Sequence, residues 1–394
     1  MYERMQDNMY FQVNQIKMPC KMNLQMLNKS IILILGKLPP PYYGPAIATQ
    51  IILNSSLNNH FDIKHLATNL NEQVEGIESF RLRKIFASIQ FYAQLVKIVR
   101  RAHPEIVLVP ISQSTIGFVK DSAFILISKW LRKKVIIHLR GSNFGNWLDQ
   151  SNSMVRCYVK YMLKKSVGVI VLGENLKYLF KNYFPPDRIF VVPNGADYPF
   201  EPAYEKEHVE IRILFLSNLL SSKGIEDFLS ALQLLQNDGR LFCADIVGTW
   251  CEDLTKINCH RMIQNNKLCI KFHPPAYNER KINFFLNSDI FVFTPRMPEG
   301  HPWVIIEAMA AGLPIISTDQ GAITESVIDG VNGFIVETHN PQQIAEKIKF
   351  LLENPDIRIQ MGRESRRLYL EKFTEDKMVE NLTRVFNTVL AIEP

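Results

Sequence analysis

Seven residues separate Glu299 from Glu307, and the stretch between them has the makings of a ligand grip. The apolar run 290–293 reads as a strand, followed by Thr294, Pro295, Arg296, Met297 and Pro298, then by Glu299, Gly300, His301, Pro302, Trp303 and Val304. Pro302 suits the first turn of a helix, where its missing N–H costs little. Gly312 suits the position just past the helix end, with Pro314 opening the next strand. Glu299 is therefore expected in the loop before the helix and Glu307 within it. A carboxylate accepts two hydroxyl hydrogen bonds, which matches the diols of a sugar or a ribose. Free N–H groups at a helix start hold phosphate. One short segment could then grip hexose, diphosphate and ribose together. The plainer alternative makes Glu299 a first-turn dipole residue and Glu307 a solvated one.

Gly44 is a second candidate. It lies between the first expected strand and a helix expected to start near Ala46. Glycine there lets backbone approach a phosphate closely, although such loops also hold glycine for turn geometry alone.

The elements that must position these residues alternate along the chain. Apolar runs at 31–35, 106–109, 135–138, 167–172 and 189–192 read as buried parallel strands. Helical patterns at 83–102, 121–132 and 154–165 lie between them. The series restarts with strands at 211–217, 242–247, 268–272, 290–293, 314–317 and 334–336. Helices are expected at 225–236, 280–286, 304–310 and 341–353. Strands alternating with helices imply right-handed crossovers and parallel sheets. The expected fold class is α/β, with two doubly wound, Rossmann-like domains facing a cleft. Ligands of such sheets sit outside the carboxyl ends of the strands. The boundaries read as an N-terminal extension at 1–29, expected to be poorly ordered, a first domain at 30–195, a linker at 196–209 and a second domain at 210–372. Met22 or Met26 could be the start.

The composition, 47% hydrophobic and 21% charged, excludes disorder, collagen and coiled coil. Six cysteines form no C-x-x-C pair and are read as reduced thiols, not a disulfide framework or a zinc site. No stretch offers the ~20 apolar residues of a spanning helix, and none resembles a signal peptide. Residues 1–200 carry 25 Lys and Arg against 12 Asp and Glu, while residues 201–394 carry 20 against 27. The basic front half points to an anionic partner. Basic and apolar residues mix at helical spacing over 81–101, and 130–134 adds a second cluster. The plainer account is a core face with solvated charges.

The segment from Glu299 to Glu307, followed by Ala308, Met309, Ala310, Ala311, Gly312, Leu313 and Pro314, resembles the E-x7-E signature of retaining glycosyltransferases of family 4, which have the GT-B fold. Residues 319–325 and 329–334 resemble the segments that follow in that family. Residues 215–219 and 222–225 resemble its first C-domain strand and basic loop. Pro193, Asn194 and Gly195 resemble the end of its N-domain, and residues 39–44 its N-terminal loop. The resemblance covers roughly residues 31 to 373.

The resemblance implies roles. Glu299 would bind hydroxyls of the transferred sugar and Glu307 the ribose diol. Gly300 and the backbone of His301 to Val304, Trp303 included, would meet sugar and phosphate, although His301 and Pro302 replace the commoner Phe and Gly. Lys223 would stabilise the charge developing on the leaving diphosphate. The family commonly has an Arg where Asn218 stands; Arg296 or Arg140 could compensate. His138, at a strand end, would contact the sugar. No Asp-x-Asp motif occurs, and no metal or other cofactor is expected.

A further helix at 373–394 is expected to cross back to the first domain. The implied activity is retaining, metal-independent hexosyl transfer from a UDP- or GDP-sugar to a lipid-linked or saccharide acceptor, in O-antigen, capsule, exopolysaccharide or lipopolysaccharide synthesis. The implied place is cytoplasmic, attached peripherally to the anionic inner face of the plasma membrane, with no nucleic-acid partner. Two alternatives are a GT-B sugar-nucleotide epimerase and a non-catalytic basic protein binding glycan or nucleic acid. A hydrolase is disfavoured, because both carboxylates lie on one segment instead of flanking a bond.

Overall fold

The computed structural model describes residues 29–40, 42–68, 77–202, 210–264 and 269–392. The expected extension at 1–29 lies outside them apart from its last residue, as does half of the linker, at 203–209.

Two six-stranded sheets form, each with every strand pair parallel. The first contains β1 (Ile31–Gly36), β2 (Asp62–Ala67), β3 (Ile106–Ile111), β4 (Lys134–Leu139), β5 (Gly168–Val171) and β6 (Ile189–Val191), in the order β2-β1-β3-β4-β5-β6. The second contains β7 (Arg212–Leu216), β8 (Cys243–Val247), β9 (Ile270–His273), β10 (Ile290–Phe293), β11 (Ile315–Thr318) and β12 (Gly333–Val336), in the order β12-β11-β10-β7-β8-β9. Each order reverses once, between β1 and β3 and between β7 and β10. A crevice opens at such a reversal, because the flanking crossover helices go to opposite faces. Gly44 follows β1, Lys223 follows β7 and Glu299 follows β10.

Helices cover both faces of each sheet, so the central strands carry apolar side chains on both sides. Val135, Ile136, Ile137 and Leu139 on β4 are all fully buried. One face of the first sheet is closed from the far end of the chain. Helix Glu375–Ala391 lays Met378, Leu382, Phe386 and Val389 against Ile32, Ile34, Ile106 and Ile136. Thr374 caps that helix through the N–H of Lys377, and the Glu375 carboxylate accepts from the N–H of Ser56 at 3.2 Å.

Strand β2 has no counterpart among the expected elements. Asp62, Lys64 and His65 interrupt its apolar pattern, which an edge strand paired only with β1 tolerates. Strand β9 spans Ile270–His273, the expected start at 268 lying outside the described residues, and the helix after β1 begins at Gly44, two residues early. The reading of all six cysteines as separate thiols is corrected. Cys243 and Cys269 sit side by side where β8 and β9 begin, with Cα atoms 4.9 Å apart, and their sulfurs are bonded. Parallel neighbours 26 residues apart in sequence give no local signal of that approach. Glu210 lies beside the pair.

Candidate active site

A cavity of about 410 Å³ lies between the two sheets, walled by both lobes. Tyr43, Gly44, Pro45, Arg140 and Asn194 come from the front. Asn218, Lys223, Lys281 and the run 299–304 come from the rear.

The loop after β10 is held by close backbone packing. A Cβ on Gly300 would stand 2.7 Å from the carbonyl oxygen of Arg140, so the rear loop touches the front lobe there. Gly321, at φ +60°, leaves room for the carbonyl of Glu299. The helix Trp303–Ala310 follows, with Pro302 as its N-cap and not inside its first turn. Proline has no side-chain acceptor, so nothing caps the first N–H groups. They open onto the cavity at Trp303 and Val304. The helix closes as a Schellman turn. Leu313 N–H donates to Ala308 O at 3.0 Å, Gly312 N–H donates to Met309 O at 3.0 Å, and Gly312 takes φ +68°.

Two carboxylate–ammonium pairs mark the rear wall. The Lys223 Nζ bonds to Glu299 Oε1. Gly224, at φ +81°, makes the turn that presents this lysine, and a Cβ there would collide with the carbonyl of Thr294. Lys281 Nζ donates to Glu307 Oε1 at 2.6 Å. Glu307 itself is set behind the wall, 7% exposed and absent from the lining, while Lys281 faces the cavity. Burial raises the Glu307 carboxyl above its usual range, and Lys281 pulls it back. Its Oε2 is buried without a partner. Lys281 gave no signal in the sequence, because a lysine in a charged helix reads as solvated.

His301 lines the cavity with its backbone, but its ring turns inward. Nδ1 accepts from the N–H of Asn194 at 3.1 Å and Nε2 meets Ser326 Oγ at 2.7 Å, with the ring against Phe373. An accepting Nδ1 requires the proton on Nε2, which then donates to Ser326. Burial pushes its pKa down to about 3. Trp303 spans the cleft, donating from Nε1 to the Gly44 carbonyl at 3.1 Å.

His138 is not among the lining residues, contrary to a direct sugar contact. Strand β4 carries it inward to 3% exposure. Arg140, two residues on and so on the same side of the strand, stands between it and the cavity, with Nε donating to His138 Nδ1 at 3.5 Å. Burial, and secondarily the Arg140 charge, hold its imidazole well below the ordinary range. Arg296 is likewise corrected as a substitute cation. It binds Asp227 with two nitrogens, each at 2.7 Å, and Glu226 at 2.7 Å, and does not line the cavity. Asn218 does line it.

Residues 200–368 match the family described as glycosyl transferases group 1. Over 255 residues the chain is 26% identical to the capsular polysaccharide biosynthesis glycosyltransferase CapM of Staphylococcus aureus, covering 59% of this chain and 66% of that one, just under two thirds of the relative's length. Among solved structures it superposes on a glycosyltransferase from Rickettsia africae with a TM-score of 0.72 at 20% identity, over 93% of this chain and 100% of the other. It also superposes on the Anabaena protein HepE in complex with UDP-glucose, with a TM-score of 0.69 at 16% identity, over 92% and 100%. The chain thus takes the GT-B fold, and the stretch that matches the glycosyl transferases group 1 lies in its rear half.

Proposed function

We propose that this protein is a retaining glycosyltransferase that moves a hexose from a nucleoside-diphosphate sugar, UDP- or GDP-linked, to a hydroxyl of a lipid-linked or saccharide acceptor during surface-polysaccharide assembly. The observation that carries the reading is the Lys223–Glu299 pair on the cavity wall, beside the uncapped helix start at Trp303. A diphosphate arriving at Lys223 would draw the ammonium to itself and free Glu299 to accept sugar hydroxyls. The helix start would add N–H donors and a positive dipole end to the phosphate. Lys223 and those donors would stabilise the leaving charge without a metal.

In this reading the acceptor oxygen bonds to the anomeric carbon on the face from which the diphosphate departs. The anomeric C–O bond to the β-phosphate breaks, and the acceptor's hydroxyl proton passes to a leaving phosphate oxygen. No protein side chain is needed as the base, which agrees with His138 lying behind Arg140. Glu307 reaches the ligand through Lys281 or through a shift of its buried carboxyl. The HepE complex supports a UDP donor, and the name of CapM supports a polysaccharide product. The basic front lobe would take the acceptor at the membrane's inner face.

Nucleotide-sugar screening tests the donor, since a ligand at 100 times its Kd raises stability by about 2.7 kcal/mol. Glu299→Gln should lower kcat/KM about 10- to 100-fold, the worth of one charged hydrogen bond, and leave the melting temperature in place. Undiminished transfer by that variant would refute the assignment.

A further inference from the structure

Charge is not balanced evenly around the cavity. Lys223 faces Glu299 and Lys281 faces Glu307. Arg296 is spent on Asp227 and Glu226 away from the lining. Arg140 differs from all three. It lines the cavity, yet the partners it has among the described residues are neutral: Nη1 donates to the carbonyl of Pro45 and to Thr49 Oγ1 at 2.6 Å, and Nε to His138 Nδ1. Its Nη2 is buried with no hydrogen-bond partner. A guanidinium out of water without a carboxylate is costly, and a buried charge is ordinarily paired.

The surroundings hold this fork still. Pro45 and Thr49 belong to helix Gly44–Asn54, whose start has no side-chain cap, so the positive end of that helix lies beside the guanidinium. Burial, and secondarily the Arg140 charge, keeps His138 neutral, so that it serves as an acceptor. The Arg140 carbonyl abuts Gly300, which fixes the residue against the loop that carries Glu299.

We propose that Arg140 is the front lobe's phosphate-binding residue, with Nη2 meeting an anionic oxygen of the donor's diphosphate in the role that the uncharged Asn218 cannot fill. The inference rests on the nucleotide-sugar reading above and deepens it. The leaving group is then clasped by cations from both lobes, Lys223 behind and Arg140 in front. Diphosphate binding thereby favours the closed cleft, and a planar fork offers two parallel donors where a lysine offers a point charge.

Calorimetric titration of the full-length protein with UDP and GDP, and with uridine and guanosine, tests this. The wild type should bind one of the diphosphates. Arg140→Met should weaken that binding about 10- to 100-fold, the worth of one charge-assisted hydrogen bond, and leave the nucleoside's affinity unchanged. Adding Asn218→Arg to Arg140→Met should restore diphosphate affinity, which a merely structural arginine would not allow. Diphosphate affinity within twofold of wild type in Arg140→Met overturns the proposal and leaves the donor reading intact. So do equal losses of nucleoside and diphosphate without rescue. A wild type that binds neither diphosphate overturns both.

Discussion

Asn194 and His301 are joined twice across the junction of the lobes. The Asn194 N–H donates to the imidazole Nδ1 at 3.1 Å, and its side-chain nitrogen donates to the His301 carbonyl at 2.8 Å. Both residues are buried. The His301 ring is therefore a clamp between lobes, while its backbone lines the cavity. Its folded pKa of about 3 lies below the ordinary 6.5. Protonation favours the unfolded chain, so its contribution is whole above about pH 6.5 and declines as pH falls toward 3. His301→Phe should cost about 1–3 kcal/mol at pH 8, because the Asn194 N–H loses its partner. Below pH 6.5 the gap should narrow by up to about 1.4 kcal/mol per pH unit. Urea unfolding of both proteins from pH 8 to 5 reads this directly.

Lys281→Met should be more damaging. It strands the Glu307 carboxylate, whose second oxygen already lacks a partner. Breaking a buried pair from one side costs about 3–5 kcal/mol. Adding Glu307→Gln should recover much of that in chemical unfolding, while donor affinity stays low.

Two glycines, one packed under the Glu299 loop and one lining the cavity, should separate folding from binding. A Cβ at Gly321 would stand 1.6 Å from the Glu299 carbonyl oxygen, in a backbone conformation that alanine resists. Gly321→Ala should lower the melting temperature and disturb Glu299. At Gly44 the nearest atom to an added Cβ is Trp303 Cδ1 at 3.7 Å, an ordinary contact. Gly44→Ala should leave the melting temperature unchanged and weaken nucleotide-sugar binding in titration.

Membrane attachment has its own assay. Trp130 is 69% exposed, with the Arg100 guanidinium 6.0 Å from its ring, and Lys129 and Arg101 are exposed nearby in sequence. Vesicles containing anionic lipid should pellet the protein at low salt and release it as salt rises, each basic residue at the surface adding about 1 kcal/mol. Absence of pelleting would end that part of the reading. The described residues hold no helix long and apolar enough to cross a bilayer.

The fold was legible where sequence and environment agree. Strands β3, β4, β7 and β10 are buried on both faces and so read as plain apolar runs. Strand β2 was hidden because one side of an edge strand faces solvent, where Asp62 and Lys64 pair with each other at 2.9 Å. At the cavity, Glu299 and Lys223 stood out through the strings around them. Lys281, the inward turn of His301 and the occupied fork of Arg296 did not, because each depends on a partner from a distant part of the chain. His138 was placed near the cavity correctly as to strand, but the side chain in front of it, Arg140, could not be ranked above it from order alone.

The closing of the first sheet by Glu375–Ala391 has a consequence for biosynthesis. A ribosome delivers Ile32, Ile34, Ile106 and Ile136 well before the cover for that face, which follows residue 374. The front lobe is thus covered only after the rear lobe that follows it in the chain has had the chance to form. Nascent chains halted before residue 375 should leave a bare apolar sheet and call on chaperones, whereas the rear half could already be in shape.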